Sequence, residues 1–367
     1  MRVAVDATPL LGDRTGIGQY TAYLIEALAR CDDVLLTAVP FTMRGGCRPS
    51  DLDASVRWRH LPFPARLLQR IWTSYDVPRV EMFAGSVDIF HGTNFVLPPS
   101  GHAKGVLTVH DLSYLKYPEL VNDASLKYVS LVPKGLSRAQ AILTPSHAIA
   151  EEIIASYNVD PAAVTVTPLG VDARWFTAAT HTPSQPAQLD LPSEYILAVG
   201  TLEPRKGLDV LLQAYRQLAS SREDIPPLVL IGTQGWGPEL DLSGLSESQL
   251  IRPGYVGGED LRSVVAGAST FVFPSRYEGF GLPPLEAMAA GVPVVATAIP
   301  TSHELLGGFA DLVPVGDPAA LADSILRSIQ TPPSRTHLMA ASAHVAQFTW
   351  SKCAQATIQA YSRVVGG

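Results

Sequence analysis

Cysteine is scarce in this chain of 367 residues: Cys31, Cys47 and Cys353 are the whole complement. The number is odd, the spacings are wide and no Cys-x-x-Cys pair occurs, which argues against a disulfide framework and a cysteine-based zinc site. No apolar run reaches the roughly 18 residues that a membrane-spanning helix needs. The opening Met1-Arg2-Val3-Ala4-Val5-Asp6 also lacks the apolar core and small-residue cleavage site of a signal peptide. A soluble, cytoplasmic protein is expected. Basic runs are missing too: 27 Lys and Arg stand against 34 Asp and Glu, a net charge of −7, with no basic stripe. Nucleic acid is therefore not an expected partner.

What the chain does have is length for two cores and a repeated alternation. Short apolar, β-branched runs recur at Val3 to Val5, Val34 to Val39, Val87 to Phe90, Val106 to Val109, Ala141 to Leu143 and Val164 to Val166. Between them lie helical spacings such as Ile17, Tyr20, Leu24, Ile25 and Leu28, or Ile149, Ile153 and Ile154 behind Ser146 as a cap. From Val171 to Glu194 the pattern dissolves into Thr, Pro, Ser, Gln and Ala. It restarts at Tyr195 to Val199, Leu228 to Ile231, Arg252 to Val256, Thr270 to Phe273 and Pro293 to Ala296. The expected class is α/β with two doubly wound, Rossmann-like domains. Residues 1–170 form the first, 171–194 a linker, 195–347 the second, and 348–367 a closing amphipathic helix with Thr349 as its cap.

The most informative segment is Glu278-Gly279-Phe280-Gly281-Leu282-Pro283-Pro284-Leu285-Glu286. A strand leads in, Gly279 and Gly281 let the backbone approach a ligand, and the prolines open a helix whose positive end faces the turn. Such a turn welcomes an anion, with Glu278 and Glu286 each placed to accept hydrogen bonds from hydroxyls. Two hydroxylated rings joined by phosphates would fit. In the same half, Gly200-Thr201-Leu202-Glu203-Pro204-Arg205-Lys206-Gly207 follows a strand, where open α/β sheets bind ligands. Arg205 offers a planar fork and Lys206 a mobile charge, both suited to phosphate.

In the first half, Gly16-Ile17-Gly18 has only two of the three glycines of a dinucleotide fingerprint, with Thr21 at the third place, so NAD binding is the weaker reading. His110-Asp111 and His91-Gly92-Thr93-Asn94 each end a strand. Asp51-Leu52-Asp53 has the form of a metal motif but sits in a polar loop without further ligands, so no metal is expected. Arg66 and Arg70 beside Leu67 to Trp72 would suit either a weak membrane-surface contact or, more simply, a helix covering the first sheet.

Taken in order, these segments resemble the retaining glycosyltransferases of GT-B architecture, family 4, which contains bacterial mannosyl- and glucosyltransferases. The glutamate pair matches that family's Glu-x7-Glu motif, and Glu-Pro-Arg-Lys-Gly its diphosphate-binding turn, with Thr201 in place of the Arg that many members carry. The resemblance implies two domains facing across a cleft, the last helix crossing back to the first, and a nucleoside-diphosphate sugar as donor, with no cofactor. It assigns catalysis to His110, Glu278, Arg205 and Lys206. Donor binding falls to Gly16, Gly18, Thr201, Arg205, Lys206, Tyr255, Val256, Glu278, Gly279, Phe280, Gly281, Leu282 and Glu286, with His110 touching the donor sugar, Glu286 the ribose and Tyr255-Val256 the base. His91, Asn94 and Asp111 fall on the acceptor side. Asp6-Ala7-Thr8-Pro9 and His110 to Tyr114 look most like mannosyltransferases, which makes GDP-mannose the first donor and a UDP-sugar the second. The acceptor is a hydroxyl of a saccharide, lipid-linked sugar or natural product. A nucleotide-sugar 2-epimerase of the same architecture and a non-catalytic sugar-nucleotide sensor are the alternatives.

Overall fold

The computed structural model describes residues 1–12, 14, 16–43, 46–178 and 189–366. Two compact units divide the chain. The first contains Met1–Lys116, Asp123–Gly170 and Thr349–Gly367, and the second Tyr117–Asn122 and Val171–Phe348. Residues 179–188 of the stretch expected as a linker lie outside the described residues. Its earlier part carries a helix, Arg174–Ala178, with Trp175 buried.

In the first unit β1 (Arg2–Asp6), β2 (Leu35–Val39), β3 (Arg57–Trp58), β4 (Ile89–Gly92), β5 (Lys104–Thr108), β6 (Ala139–Thr144) and β7 (Val164–Val166) form one sheet in the order β3-β2-β1-β4-β5-β6-β7. Every pairing is parallel. Strands covered on both faces read as continuous apolar runs, and Val3, Ala4 and Val5 are fully buried. The second unit repeats the plan with β8 (Ile196–Val199), β9 (Leu228–Ile231), β10 (Leu250–Gly254), β11 (Thr270–Phe273), β12 (Val294–Thr297) and β13 (Asp311–Val313), in the order β10-β9-β8-β11-β12-β13. These pairings are parallel as well. Strand order reverses between β1 and β4 and between β8 and β11, and ligands bind outside the carboxyl ends of strands at such points.

The helices follow their apolar stripes. Gly16–Ala29 buries Tyr20, Leu24, Ile25 and Leu28, each contributing about 1.5–3 kcal/mol by transfer from water. Ser146 caps His147–Tyr157, its hydroxyl accepting from the Ile149 N–H at 3.3 Å. The last helix, Trp350–Gly366, belongs to the first unit. Its Lys352 N–H donates to the Thr349 hydroxyl at 3.2 Å, and Trp350 stacks on Tyr23 at 5.0 Å. The helix Ala65–Trp72 buries Leu68 and Trp72 and exposes Leu67. Among the described residues no helix is long and apolar enough to cross a membrane.

Candidate functional site

In the second unit the chain leaves β8 at Gly200, makes a short 3-10 turn over Pro204–Lys206 and enters the helix Leu208–Ser221 through Gly207. Gly207 has φ +64°, and a Cβ there would stand 2.1 Å from the carbonyl oxygen of Pro274, at the end of β11. Only glycine permits that approach. It docks the basic turn onto the glutamate loop, where the Arg276 N–H donates to the Arg205 carbonyl at 2.8 Å.

The two segments singled out from sequence therefore meet. Glu278, 8% exposed, accepts from Arg205 Nη1 through Oε2 at 2.7 Å, and from Lys206 Nζ at 2.7 Å and Ser275 Oγ at 2.9 Å through Oε1. Arg205 also donates to Glu203 Oε1 at 2.8 Å and to the Tyr277 carbonyl at 3.0 Å. Burial alone would push the Glu278 carboxyl up, but the charges of Arg205 and Lys206 outweigh it and hold the group at about 2. Burial does raise Glu203, against the pull of both cations. Glu278 is thus a permanent carboxylate with three of its roughly four lone-pair directions filled. One direction remains open among the described residues. Lys206 spends one of its three N–H donors on Glu278 and keeps the others.

The turn that follows has Gly281 at φ +94°, preceding the helix Leu282–Ala289. Pro283 and Pro284 occupy its first turn and have no N–H, so fewer amides face an anion than a helix start usually offers. Phe280 is buried against Phe348, ring centroids 6.0 Å apart, so its side chain serves packing. Glu286 stands half-buried on the same helix; burial pushes its carboxyl up to about 7, with the adjacent Trp175 side chain opposing the shift and nearby Asp172 adding to it. Thr201 follows Gly200 at the end of β8. Tyr255 projects outward, 71% exposed, whereas Val256 is buried.

In the first unit, His110 lies two residues past β5, buried between Tyr20 and Phe95. Its Nε2 bonds the Thr93 carbonyl at 2.8 Å. A carbonyl only accepts, so Nε2 carries the proton and Nδ1 presents a lone pair; burial lowers the ring's basicity. Asp111 spends Oδ1 on its own turn, accepting from the Ser113 N–H at 2.9 Å and Oγ at 2.7 Å. His91 is fully buried. Its nitrogens are both taken, Nδ1 by Tyr361 Oη and Nε2 by Thr108 Oγ1, each at 2.7 Å. That position fixes the last helix to the sheet and leaves no ring nitrogen for an acceptor. Asn94 borders the same strand end, its Oδ1 buried without a partner.

Residues 15–170 match the family described as "Glycosyl transferase 4-like domain", and residues 193–331 the family "Glycosyl transferases group 1". The chain is 33% identical to O-antigen chain mannosyltransferase B of Escherichia coli over 390 aligned positions, covering 98% of this chain and 99% of that protein. The chain is a GT-B glycosyltransferase of family 4. Solved structures with the same fold include sucrose-phosphate synthase from Thermosynechococcus elongatus, with TM-score 0.74, 21% identity, and coverage of 100% and 99%. Another is HepE of Anabaena in complex with UDP-glucose, with TM-score 0.67, 18% identity, and coverage of 100% and 99%.

In this glycosyltransferase the Gly16-Ile17-Gly18 segment opens the first long helix, and the Asp51-Leu52-Asp53 segment makes local contacts. Gly16 and Gly18 stand in the first turn of the helix Gly16–Ala29, and a Cβ on Gly18 would come within 2.8 Å of the Pro9 carbonyl oxygen. Asp51 pairs with Arg14 at 2.5 Å, and Asp53 accepts from the Ser55 N–H at 2.8 Å. Among the described residues no group of three or more His, Cys, Asp or Glu is placed to hold a metal. Sequence reasoning did not assign Glu203, Ser275 or Trp175. Glu203 adjoined the basic turn, and its apolar surroundings were the available signal.

Proposed function

We propose that this glycosyltransferase moves a hexose, mannose first, from a nucleoside-diphosphate sugar to a hydroxyl of a saccharide acceptor, with retention of configuration and without a metal. The observation that carries the proposal is the closed Glu278, Arg205, Lys206 network. Glu278 is ionised at every physiological pH and tied to two cations, which suits holding a sugar hydroxyl and makes it a poor proton donor and a poor nucleophile. Retention without a covalent intermediate then calls for attack on the face that the diphosphate leaves, with the departing phosphate taking the acceptor proton. Arg205 and Lys206 supply the positive charge that stabilises the developing negative charge. Glu286 is assigned to the ribose hydroxyls, the backbone at Tyr255-Val256 to the base, and His110, through Nδ1, to a sugar hydroxyl.

Mannose and GDP are put first because the relative aligned over its whole length is named a mannosyltransferase. An O-antigen-like polysaccharide or its lipid-linked precursor is the matching acceptor class, and Leu67 exposed beside Arg66 and Arg70 would suit a weak contact with a membrane surface. HepE was crystallised with UDP-glucose, which keeps UDP-sugars as the second choice. A thermal-shift screen of GDP- and UDP-sugars identifies the donor, since a ligand of the folded state raises its midpoint. Nucleoside diphosphate release with and without added saccharide, and the anomeric configuration of the product by NMR, then test transfer. Release that is independent of acceptor, tight binding without turnover, or an inverted product would each overturn the reading.

A further inference from the structure

The first unit holds two polar groups that its own fold leaves unmatched. Asp6 ends β1, beside the point where strand order reverses, and is 7% exposed. Its carboxyl accepts the Thr8 N–H at 2.9 Å and lies beside the Thr8 hydroxyl, and among the described residues no Lys, Arg or His pairs with it. The Asp6 carbonyl accepts from Thr93 Oγ1 at 2.7 Å, tying the end of β1 to the end of β4. The next residue, Asn94, has its side chain beside the Tyr128 hydroxyl, while its buried Oδ1 has no partner. Buried acceptors without donors are unfavourable unless a ligand supplies them. Tyr128 lies within reach of the Asp6 charge and packs on the buried Phe95 and Tyr114, at 4.6 Å and 5.9 Å. Its own half-buried ring suits the C–H face of a sugar.

We propose that Asp6 and Asn94 accept hydrogen bonds from two hydroxyls of the acceptor's sugar ring, packed against Tyr128, and that Asp6 thereby selects the acceptor. This rests on glycosyl transfer to a saccharide as the activity. Asparagine at position 6 would keep the bond from the Thr8 N–H and lose only the charge, so a purely local role predicts little change in ligand binding.

The test uses the full-length protein, with methyl α-D-mannopyranoside and methyl α-D-glucopyranoside as probes. Saturation-transfer NMR without donor is expected to show wild type binding at least one glycoside and both Asp6→Asn and Asn94→Ala losing most of that signal. In the transfer assay the acceptor KM rises by about tenfold or more in either variant, as loss of one hydrogen bond to a charged or buried group implies. The donor KM moves far less. Asp6→Asn also melts at or above the wild-type temperature, because an unpaired buried carboxylate has been removed. No signal from wild type, equal signal from wild type and variants, or a fall in melting temperature with unaltered acceptor KM would each overturn the proposal. Failure of every donor to turn over would appear only in the transfer assay and would count against glycosyl transfer itself.

Discussion

Replacing Glu278 by glutamine tests whether the carboxylate at the centre of the second unit is held by its cations. Glutamine copies the size and the hydrogen-bond acceptor of a protonated glutamic acid, so the variant should lose what wild type loses on protonation. Holding this carboxyl at about 2 instead of its ordinary 4.5 corresponds to about 3 kcal/mol. The sign follows from the depressed value: the contribution is present above pH 4.5 and is lost as the pH falls through about 2. At neutral pH the variant should melt roughly 6–12 °C below wild type, taking 2–4 °C per kcal/mol for a unit of this size. The assay is differential scanning fluorimetry of both proteins from pH 7 down to the lowest pH at which each stays folded. Other acid-sensitive groups, such as buried His91, act equally in both proteins and cancel in the difference. The gap should narrow below pH 4.5. A drop under about 2 °C at pH 7, well below the range expected from the network, or a gap that stays constant on acidification, would refute the ion-pair argument. Transfer activity should fall by at least about a hundredfold, since the same change releases Arg205 and Lys206 from their positions.

Gly207→Ala places a Cβ against the Pro274 carbonyl oxygen at φ +64°; a loss of about 2 kcal/mol or more is expected, read as a lower melting temperature, and an unchanged one would refute the close-approach argument. Donor KM should rise as the pH falls below about 7, where the raised Glu286 carboxyl takes up its proton. Trp175→Phe removes the indole N–H that favours the carboxylate, so this pH limb should move upward, and a limb that stays in place would discount the contact. His91→Leu leaves the Tyr361 hydroxyl without its partner, at about 1–3 kcal/mol; a variant as stable as wild type would contradict its packing role.

The sheets were legible because buried parallel strands are continuous apolar runs, and the Ser146 and Thr349 caps because each precedes a helical stripe. Strands β3 and β13 were not, being two and three residues long and partly exposed. The strand expected at Arg252 to Val256 lies two residues earlier, at Leu250–Gly254. Glu278, Arg205 and Lys206 could each be picked out by local motif, but not their bonding to one another, which depends on Gly207 reaching Pro274 across the fold. His91 looked like a ligand because it ends a strand; its neighbour Tyr361 is 270 residues away, beyond any local pattern. Trp175 sat in a stretch whose prolines and small polar residues masked a five-residue helix. Asp6 read as the end of the opening apolar run and as part of the Asp6-Ala7-Thr8-Pro9 segment, not as a carboxylate without a counter-ion, since a missing counter-ion cannot be seen in a sequence.

The helix Trp350–Gly366 has a consequence for how the chain acquires its structure. The first unit draws its sheet from residues before Gly170 and its final layer from residues after Phe348. During synthesis the partner of His91, the stacking face on Tyr23 and the cover over β6 are therefore absent until nearly the whole polypeptide has been made. The second unit is contiguous apart from Tyr117–Asn122 and can assemble first, against the usual expectation that N-terminal domains lead. A nascent chain halted before Thr349 would lack the helix that packs on β5, β6 and β7, in the state most open to chaperone capture.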